Sequence, residues 1–441
     1  MAEMEGMRDP RDWATRQSDL AAQVPDLLRR LRGASIAWRE RLAGVEPGQF
    51  GTVDSLADLP FMTKGELRAM QADATREQPL GGLQVAATRD LVQVISSSGT
   101  TGDPMFFGVT VADWTAWKRA VGSAFATAGI GRGSLTAHTT GMPMVAGGIA
   151  YADGIREAGG TLAWVGGQTM TRMVAMINRL GVNTLLGTAS FATFFAEKCE
   201  AELGRPAREL AVRTVIAGGE PGLGAPEIRE RIADVWGATR VSEIMGLGDV
   251  LPVLWAECAE GHGMHFTAAP HVLVELIDPE TGAHLPWEPG VTGEAVYTTI
   301  DREACPVVRF RSRDQLSVTG VACRCGRTTP TVRCIGRTDD MLIYKAMNVY
   351  PSAIRDIAMQ VGGSAVGSLR VRKDSNDQVR FDDPIPLEIE LAADDSEAAR
   401  LAAEIAEAVR QELRVRVSPE VLAPGSIPLG EYKNALTYAK Q

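Results

Sequence analysis

A loop rich in serine, glycine and threonine has the chemistry of a phosphate-binding site. Residues 96–104 read SSSGTTGDP and follow an apolar segment, Leu91–Ile95, that is typical of a strand. Glycines 99 and 102 permit tight turns, and the backbone N–H groups of such a loop can surround phosphate oxygens. The loop is not a Walker A motif, because no Lys-Ser or Lys-Thr follows Gly102. Taken alone, it is equally consistent with an ordinary surface turn.

A group of cysteines has the composition of a metal site. Cys323 and Cys325 form a C-x-C pair, and Cys258 lies upstream together with two histidines, His262 and His265. Three thiolates and one imidazole are a common ligand set for structural zinc. The C-x-C spacing is tighter than usual and the two halves are far apart in sequence. Buried reduced thiols therefore remain the alternative interpretation.

Composition limits the classes of function that the chain can have. The chain has 441 residues, of which 45% are hydrophobic and 23% charged, as expected of a globular protein with one large and one small domain. A net charge of −10 argues against nucleic acid as the partner, including a zinc-ribbon interpretation of the cysteines. There is no apolar run that would span a bilayer and no signal peptide. We expect a cytoplasmic protein that does not bind membranes.

The elements that must position these residues change in type along the chain. Short apolar strands alternate with helices over residues 161–236, which predicts a mostly parallel sheet covered by helices. Beyond about residue 250, Val272–Ile277, Gly293–Thr299 and Pro306–Phe310 resemble strands joined by turns and predict an antiparallel region. A further α+β block begins near Gly336. The predicted fold class is therefore α/β, with a large N-terminal domain and a small C-terminal α+β domain.

Six segments, in order, resemble the motifs of the adenylate-forming superfamily, and within it the phenylacetate–CoA ligase family. They are SSSGTTGDP, AGGEP, EIMGLGD, RFRSRD, GRTDDMLI and PLGEYK. The resemblance implies an enzyme that uses ATP and Mg²⁺ to convert a carboxylic acid, with an aromatic acid favoured, to an acyl-adenylate and pyrophosphate. Coenzyme A then displaces AMP. It also implies a large domain over residues 1–336, a small mobile domain over residues 337–441, and allows a homodimer.

The resemblance assigns nucleotide-binding roles residue by residue. Lys433 and Arg337 would act on the carboxylate and the phosphates, Asp314 would bind the ribose, Asp249 would hold Mg²⁺, and Asp339 would be the hinge. The remaining nucleotide-binding residues that it implies are Ser97, Ser98, Gly99, Thr100, Thr101, Gly102, Gly219, Glu220, Pro221, Glu243, Met245 and Gly246. Local sequence alone favours a surface ion pair of Asp314 with Arg311 or Arg313, and a solvated charge at Lys433; the order of the motifs favours the nucleotide roles.

The same resemblance implies an acyl pocket and a zinc ligand set. The wall of the pocket is rich in glycine and small apolar groups, which suits a flat aromatic acid. The implied pocket residues are His138, Gly141, Gly147, Gly148, Ser190, Phe191, Gly218 and Met245. His138 would contact a polar ring substituent or else be a structural histidine. The implied zinc ligands are Cys258, His265, Cys323 and Cys325, with His262 as the competing histidine.

Several residues depart from the family pattern. The departures are Asp103 for Lys, Met245 for an aromatic residue, Asp249 for Glu, Ala346 for Gly and Tyr432 for Gly. They leave two alternatives open. In one, the acyl group passes to an amine or a carrier-protein thiol instead of coenzyme A. In the other, the chain is a non-catalytic binding protein on a ligase fold.

Overall fold

The first helices pack on the sheet that carries the candidate site. The computed structural model describes residues 11–97, 105–140, 143–220, 223–345, 347–375, 378–428 and 436–439. Its first helices are α1 (Trp13–Ala21), α2 (Val24–Arg32), α3 (Ile36–Arg41) and α4 (Lys64–Ala72). Pro25 lies in the first turn of α2, where a missing N–H costs nothing. Thr63 caps α4 through a capping box with Glu66.

The central part of the chain alternates strands and helices. The elements are β1 (Leu91–Ser96), β2 (Phe106–Thr110), α5 (Val111–Ala128), β3 (Leu135–His138), α6 (Ile149–Glu157), β4 (Thr161–Trp164), α7 (Met170–Leu180), β5 (Thr184–Gly187), α8 (Ala189–Leu203), β6 (Thr214–Gly218) and α9 (Pro226–Trp236). Strands β1 and β2 form a separate antiparallel ribbon, and the phosphate-loop sequence joins them. Strands β3 to β6 pair in parallel, which confirms the predicted parallel sheet.

The following strands are β7 (Arg240–Leu247), β8 (Leu251–Glu257), β9 (Met264–Phe266), β10 (Val272–Ile277), β11 (Thr292–Thr299), β12 (Phe310–Gly320) and β13 (Thr331–Arg337). They extend the same sheet to eleven strands in the order β10-β11-β12-β13-β9-β8-β7-β6-β5-β3-β4. The predicted antiparallel region is therefore hydrogen-bonded to the parallel region within one continuous sheet. Strand β7 is the junction, parallel to β6 and antiparallel to β8.

The prediction of a strand over Pro306–Phe310 is wrong, because this segment is a loop and the strand begins only at Phe310. Arg309 adopts a left-handed backbone conformation with φ of 46°, which interrupts an extended strand. The side chain of Arg309 is fully buried and donates to the Glu275 carboxylate at 3.0 Å and to the Leu59 carbonyl at 2.6 Å. These tertiary contacts hold the strained residue in place.

The last part of the described chain has its own core. Its elements are β14 (Leu342–Tyr344), β15 (Met347–Val349), α10 (Pro351–Gly362), β16 (Val366–Lys373), β17 (Arg380–Phe381), β18 (Ile385–Leu391), α11 (Asp395–Leu413), β19 (Val417–Leu422) and β20 (Thr437–Ala439). A hydrophobic cluster from Leu342 to Val417 is separate from the clusters of the large sheet. Contacts across the boundary include Ile228 of α9 against this cluster and a 2.9 Å hydrogen bond from Arg231 to the Val366 carbonyl. None of the described helices has the length and apolarity that crossing a bilayer requires.

Candidate active site

The ends of the phosphate-loop sequence lie side by side. The backbone N–H of Ser97 donates to the carbonyl of Met105 at 2.8 Å, and that of Ser96 donates to the carbonyl of Met144 at 2.8 Å. Ser97 is buried, and its hydroxyl has no hydrogen-bond partner among the described residues. The loop is thus anchored at both ends beside the segment predicted to form the acyl pocket. Several predicted site residues lie outside the described residues, namely Ser98, Gly99, Thr100, Thr101, Gly102, Gly141, Pro221 and Lys433.

The carboxyl end of β6 brings together two of the predicted motifs. Gly218 admits no side chain, because a Cβ there would lie 2.2 Å from the carbonyl oxygen of Ile244 on the neighbouring strand. Gly219 follows with φ of 85°, which favours glycine. The Glu220 carboxylate accepts a 2.6 Å hydrogen bond from the backbone N–H of Ser190 at the start of α8. The predicted nucleotide motif and the Ser190 side of the predicted pocket are therefore adjacent.

Strand β7 carries Glu243, Met245 and Gly246 between the two halves of the sheet. Gly246 is required by packing, since a Cβ would lie 2.0 Å from the Pro252 carbonyl oxygen. The buried Glu243 carboxylate accepts a 2.8 Å hydrogen bond from Arg333, and burial raises the pKa of Glu243 against the opposing effect of Arg333. Met245 is half-buried. The carboxylate of Glu243 is thus engaged within the sheet.

Asp249 follows β7 and forms an ion pair that sequence reasoning missed. Its carboxylate oxygens Oδ1 and Oδ2 lie 3.1 and 3.2 Å from the Lys64 ammonium. Oδ1 is buried and has no directed hydrogen bond among the described residues. A carboxylate with this spare acceptor capacity fits a hard cation such as Mg²⁺. The sequence signal for Lys64 is its place in the PFMTKGELR segment, where only the helix start at Thr63 was predicted.

Asp314 and Arg337 are direct partners on neighbouring antiparallel strands. An Arg337 guanidinium nitrogen lies 3.3 Å from Asp314 Oδ1, and the Asp314 side chain is buried whereas that of Arg337 is about one-third exposed. The two residues predicted to bind ribose and phosphate therefore lie together. A short turn, Thr338–Asp340, follows Arg337, and its Thr338 hydroxyl accepts a 2.7 Å hydrogen bond from Gln315. The predicted hinge residue Asp339 lies in this turn.

His138 is a buried structural group at the carboxyl end of β3. Its Nε2 lies 3.1 Å from the carbonyl oxygen of Gly148, and its ring stacks on Trp164 at 5.0 Å between centroids. Gly147 and Gly148 are buried beside it. Burial lowers the pKa of His138 to about 4, so the ring is neutral near pH 7. The hydrogen bond to Gly148 connects β3 to the glycine-rich wall of the predicted pocket.

His138 predicts a specific pH dependence of stability. Its pKa is about 4 in the folded protein against 6.5 when exposed, so the unfolded state takes up a proton first as the pH falls. Between pH 6.5 and pH 4, the wild type is expected to lose up to about 3 kcal/mol more free energy of unfolding than His138→Gln. Urea unfolding at pH 7, 5.5 and 4.5 measures the difference. The matched control is His262→Gln at an exposed position, and parallel pH curves for wild type and His138→Gln would contradict the assignment.

The four predicted zinc ligands converge. The ligand atoms of Cys258, His265, Cys323 and Cys325 all lie within 4.8 Å of one another. The Cys258 and Cys323 sulfurs are 3.7 Å apart, which matches the separation of about 3.8 Å between two sulfurs at tetrahedral zinc with 2.3 Å bonds. The competing His262 is exposed and lies outside this group. The donor set therefore fits zinc.

Neighbouring groups favour the ligand forms of His265 and Cys325, whereas burial raises the pKa of the Cys258 and Cys323 thiols. His265 Nε2 faces the Cys325 sulfur at 3.4 Å, while Nδ1 lies 3.0 Å from the Thr329 hydroxyl, which fixes the ring orientation. Burial, followed by the charge of Arg327, lowers the pKa of His265 to about 4 and keeps the imidazole neutral. The pKa of Cys325 is lowered although burial opposes it, because hydrogen bonds from Arg327 favour the thiolate.

Comparison with known proteins identifies the family. The chain is 32% identical over 321 residues to a phenylacetate-coenzyme A ligase of Thermus thermophilus, covering 72% of this chain and 69% of that protein. The chain belongs to the phenylacetate-coenzyme A ligase family. A second member, from Pseudomonas putida, is 27% identical over 413 residues, which cover 92% of this chain and 89% of that protein. No family model matches the chain.

Solved structures extend the likeness of this family member to the whole fold. A 2-hydroxyisobutyryl-CoA ligase in the postadenylation state has a TM-score of 0.87 at 24% identity, covering 99% of this chain and 92% of that chain. The same ligase, with its acyl-adenylate and CoA in the thioesterification state, has a TM-score of 0.70 at 25% identity over 98% of this chain and 91% of that chain. The α/β fold with two cores is that of adenylate-forming enzymes.

Proposed function

We propose that this family member is an AMP-forming acid–CoA ligase. It activates a carboxylic acid with ATP and transfers the acyl group to coenzyme A. The observation that carries the proposal is the Asp314–Arg337 pair, in which a buried carboxylate lies beside a guanidinium. The carboxylate is suited to accept hydrogen bonds from both ribose hydroxyls, and the guanidinium to bind phosphate. The relatives named above are ligases that use coenzyme A, which supports the same acceptor here.

The reaction has two steps at one site. In the first, an oxygen of the acid's carboxylate attacks the α-phosphorus of ATP, the bond to the bridging oxygen breaks, and pyrophosphate leaves. Lys433 would lie between the carboxylate and the α-phosphate and stabilise the developing charge. Mg²⁺, when bound, would neutralise phosphate charge, and Asp249 is the residue suited to hold it. In the second step, the sulfur of coenzyme A attacks the acyl carbon and AMP leaves.

The pocket proposed for the acid favours a flat, apolar acyl group. Gly147 and Gly148 are buried, and Phe191 stacks on Phe195 at 5.2 Å. The neutral, hydrogen-bonded His138 adds no charge to this region. We therefore propose that an aromatic acid is the substrate and that the wall of the pocket includes Gly218 and Met245.

We also propose that residues 1–336 and 337–441 are two domains that rotate about Asp339. The separate core of residues 342–417 supports this division. Strand β13 extends one residue past this boundary, to Arg337, and ends before the pivot Asp339. Rotation about Asp339 would therefore leave the Asp314–Arg337 pair intact. Rotation allows one nucleotide site to serve both steps, because the small domain presents different residues in each. ATP and coenzyme A as co-substrates favour the cytoplasm as the location.

Zinc in the cysteine cluster is proposed to have a structural role. The loop between β8 and β9 contains Cys258 and is called the cluster loop. Arg333 donates to the Gly261 carbonyl in this loop at 2.8 Å and to the Glu243 carboxylate on β7 at 2.8 Å. The cluster loop is thus tied to the strand that carries Met245 and Gly246. Zinc bound there would stabilise this edge of the site without contacting the reacting atoms.

ATP–pyrophosphate exchange with a panel of substituted benzoic, arylacetic and short aliphatic acids tests the proposed function. Exchange that depends on an aromatic acid, followed by AMP release on addition of coenzyme A, is the expected result. Exchange without coenzyme A-dependent AMP release would shift the acceptor to an amine or a carrier-protein thiol, as the departures at Ala346 and Tyr432 would then explain. Folded protein that shows no exchange with any acid would contradict adenylation of these acids.

A further inference from the structure

Lys64 occupies a position that helix formation alone does not explain. It is the first residue of α4, where the positive end of the helix dipole disfavours a cation. Met62, two residues earlier, is fixed against the start of β12 by the residues on either side of Phe310. Its N–H donates to the Arg309 carbonyl at 2.9 Å, and its carbonyl accepts from the Arg311 N–H at 2.8 Å. The backbone before α4 is therefore bound to the sheet, and this directs the Lys64 ammonium toward Asp249.

The partner of Lys64 is equally well anchored. The buried Arg302 donates to the carbonyl of Asp249 at 2.8 Å and to that of Val250 at 3.1 Å. Gly248, the residue before Asp249, lies against the start of the phosphate loop, since a Cβ there would be 3.6 Å from Ser97 Cα. The ion pair is thus located at the entrance to that loop.

The phosphate-loop sequence has no positive charge of its own that could neutralise a bound triphosphate. Residues 96–104 contain no lysine or arginine, and their one charged residue is Asp103. A bound triphosphate carries several negative charges, which an acidic loop does not balance. The Lys64 side chain is 33% exposed while that of Asp249 is 6% exposed, so the ammonium can change partner without breaking a fully buried pair. Lysine suits this exchange because its ammonium sits on a flexible stem.

We propose that Lys64 binds the β- and γ-phosphates of ATP, and the pyrophosphate formed from them. In the absence of nucleotide it pairs with Asp249. When ATP binds, the ammonium moves to the phosphate oxygens, and the Asp249 carboxylate that it leaves would hold the cation that accompanies ATP. Lys64 would then supply the positive charge that the loop lacks. This inference rests on the proposed function.

Equilibrium binding of ATP, pyrophosphate and AMP to Lys64→Met tests the proposal by isothermal titration calorimetry. Loss of a charge-assisted contact is expected to weaken ATP and pyrophosphate binding at least about tenfold. AMP lacks the β- and γ-phosphates, so its affinity should stay within about twofold of wild type. The matched control is Lys118→Met, since Lys118 is 31% exposed and pairs with Glu157 at 3.7 Å on α5 and α6.

Two results would overturn the proposal. One is equal weakening of ATP and AMP binding, which would make the Lys64–Asp249 pair a structural contact only. The other is unchanged ATP binding in folded Lys64→Met. Lys64→Gln, which keeps a polar group against Asp249, is measured in the same way if the methionine variant does not fold.

Failure of the proposed function is a separate outcome. These binding measurements need no acid, so they decide the role of Lys64 even if no acid supports exchange. Wild-type protein that binds neither ATP nor pyrophosphate would overturn the inference about Lys64. A further readout is the affinity for ATP measured at increasing Mg²⁺ concentrations. The ATP affinity of Lys64→Met is expected to depend more strongly on Mg²⁺ than that of the wild type.

Discussion

Lys433→Ala is expected to reduce ATP–pyrophosphate exchange by at least about a hundredfold. In the proposed reaction, this ammonium contacts the attacking carboxylate and the α-phosphate together, where negative charge develops in the transition state. Its removal should lower the rate of adenylation more than the affinity for either substrate. The measurement is exchange with the acid that the substrate panel identifies, together with thermal unfolding to show that the fold is intact.

Lys440→Ala is the matched control, because it removes an ammonium seven residues later in the same C-terminal segment. Lys433→Ala should also retain the second step, measured as thioester formation from a preformed acyl-adenylate and coenzyme A. Undiminished exchange in Lys433→Ala would remove this lysine from the site. Equal loss of both steps would indicate a general defect rather than a role in adenylation.

Cys323→Ser is expected to abolish zinc binding and to lower Tm by roughly 5 °C or more. The wild type should contain about one zinc ion per chain, because the four ligand atoms converge within 4.8 Å of one another and zinc takes four such ligands. Serine is a poor zinc ligand, and the thiols of Cys258 and Cys325 and the imidazole of His265 would lose the metal ion that they share. Metal analysis after exhaustive dialysis and thermal unfolding measure the two effects.

Cys199→Ser is the control for this experiment, since Cys199 is buried on α8 in a different core. It should leave the zinc content unchanged even if it costs some stability. Addition of a strong chelator to wild type should reproduce the loss of Tm seen in Cys323→Ser. Equal zinc content in the wild type and Cys323→Ser, including none in both, would contradict the zinc proposal.

Local sequence patterns predicted the elements whose boundaries are set by nearby residues. Strand β10 spans Val272–Ile277, as predicted, because an apolar run and its flanking turn residues act within a few positions. The segment before Phe310 was misassigned because its conformation depends on Arg309, whose guanidinium binds Glu275 and the carbonyl of Leu59. Propensity carries no information about partners so distant in the chain.

In the candidate site too, the sequence motifs predicted some contacts, and contacts between residues far apart outside the motifs were missed. Motif order was enough to predict that Asp314 and Arg337 belong together, and that four dispersed cysteine and histidine residues form one cluster. It did not reveal that Lys64 pairs with Asp249, 185 positions away. Such pairs arise because the backbone before α4 is hydrogen-bonded beside Phe310 of β12, a long-range contact that no short spacing encodes.

The junction at β7 has a consequence for how the active enzyme assembles. The parallel strands β3 to β6 precede it in the chain, whereas β12 and β13, which carry Asp314 and Arg337, are synthesised only later. The nascent chain can therefore complete the parallel half, with its side of the proposed acyl pocket, before the strands proposed to bind the ribose exist. Recovery of nucleotide binding during refolding should accordingly lag behind formation of the parallel half. The β12–β13 hairpin joins the rest of the sheet through the long-range pairing of β13 with β9, in which Thr331 lies opposite His265.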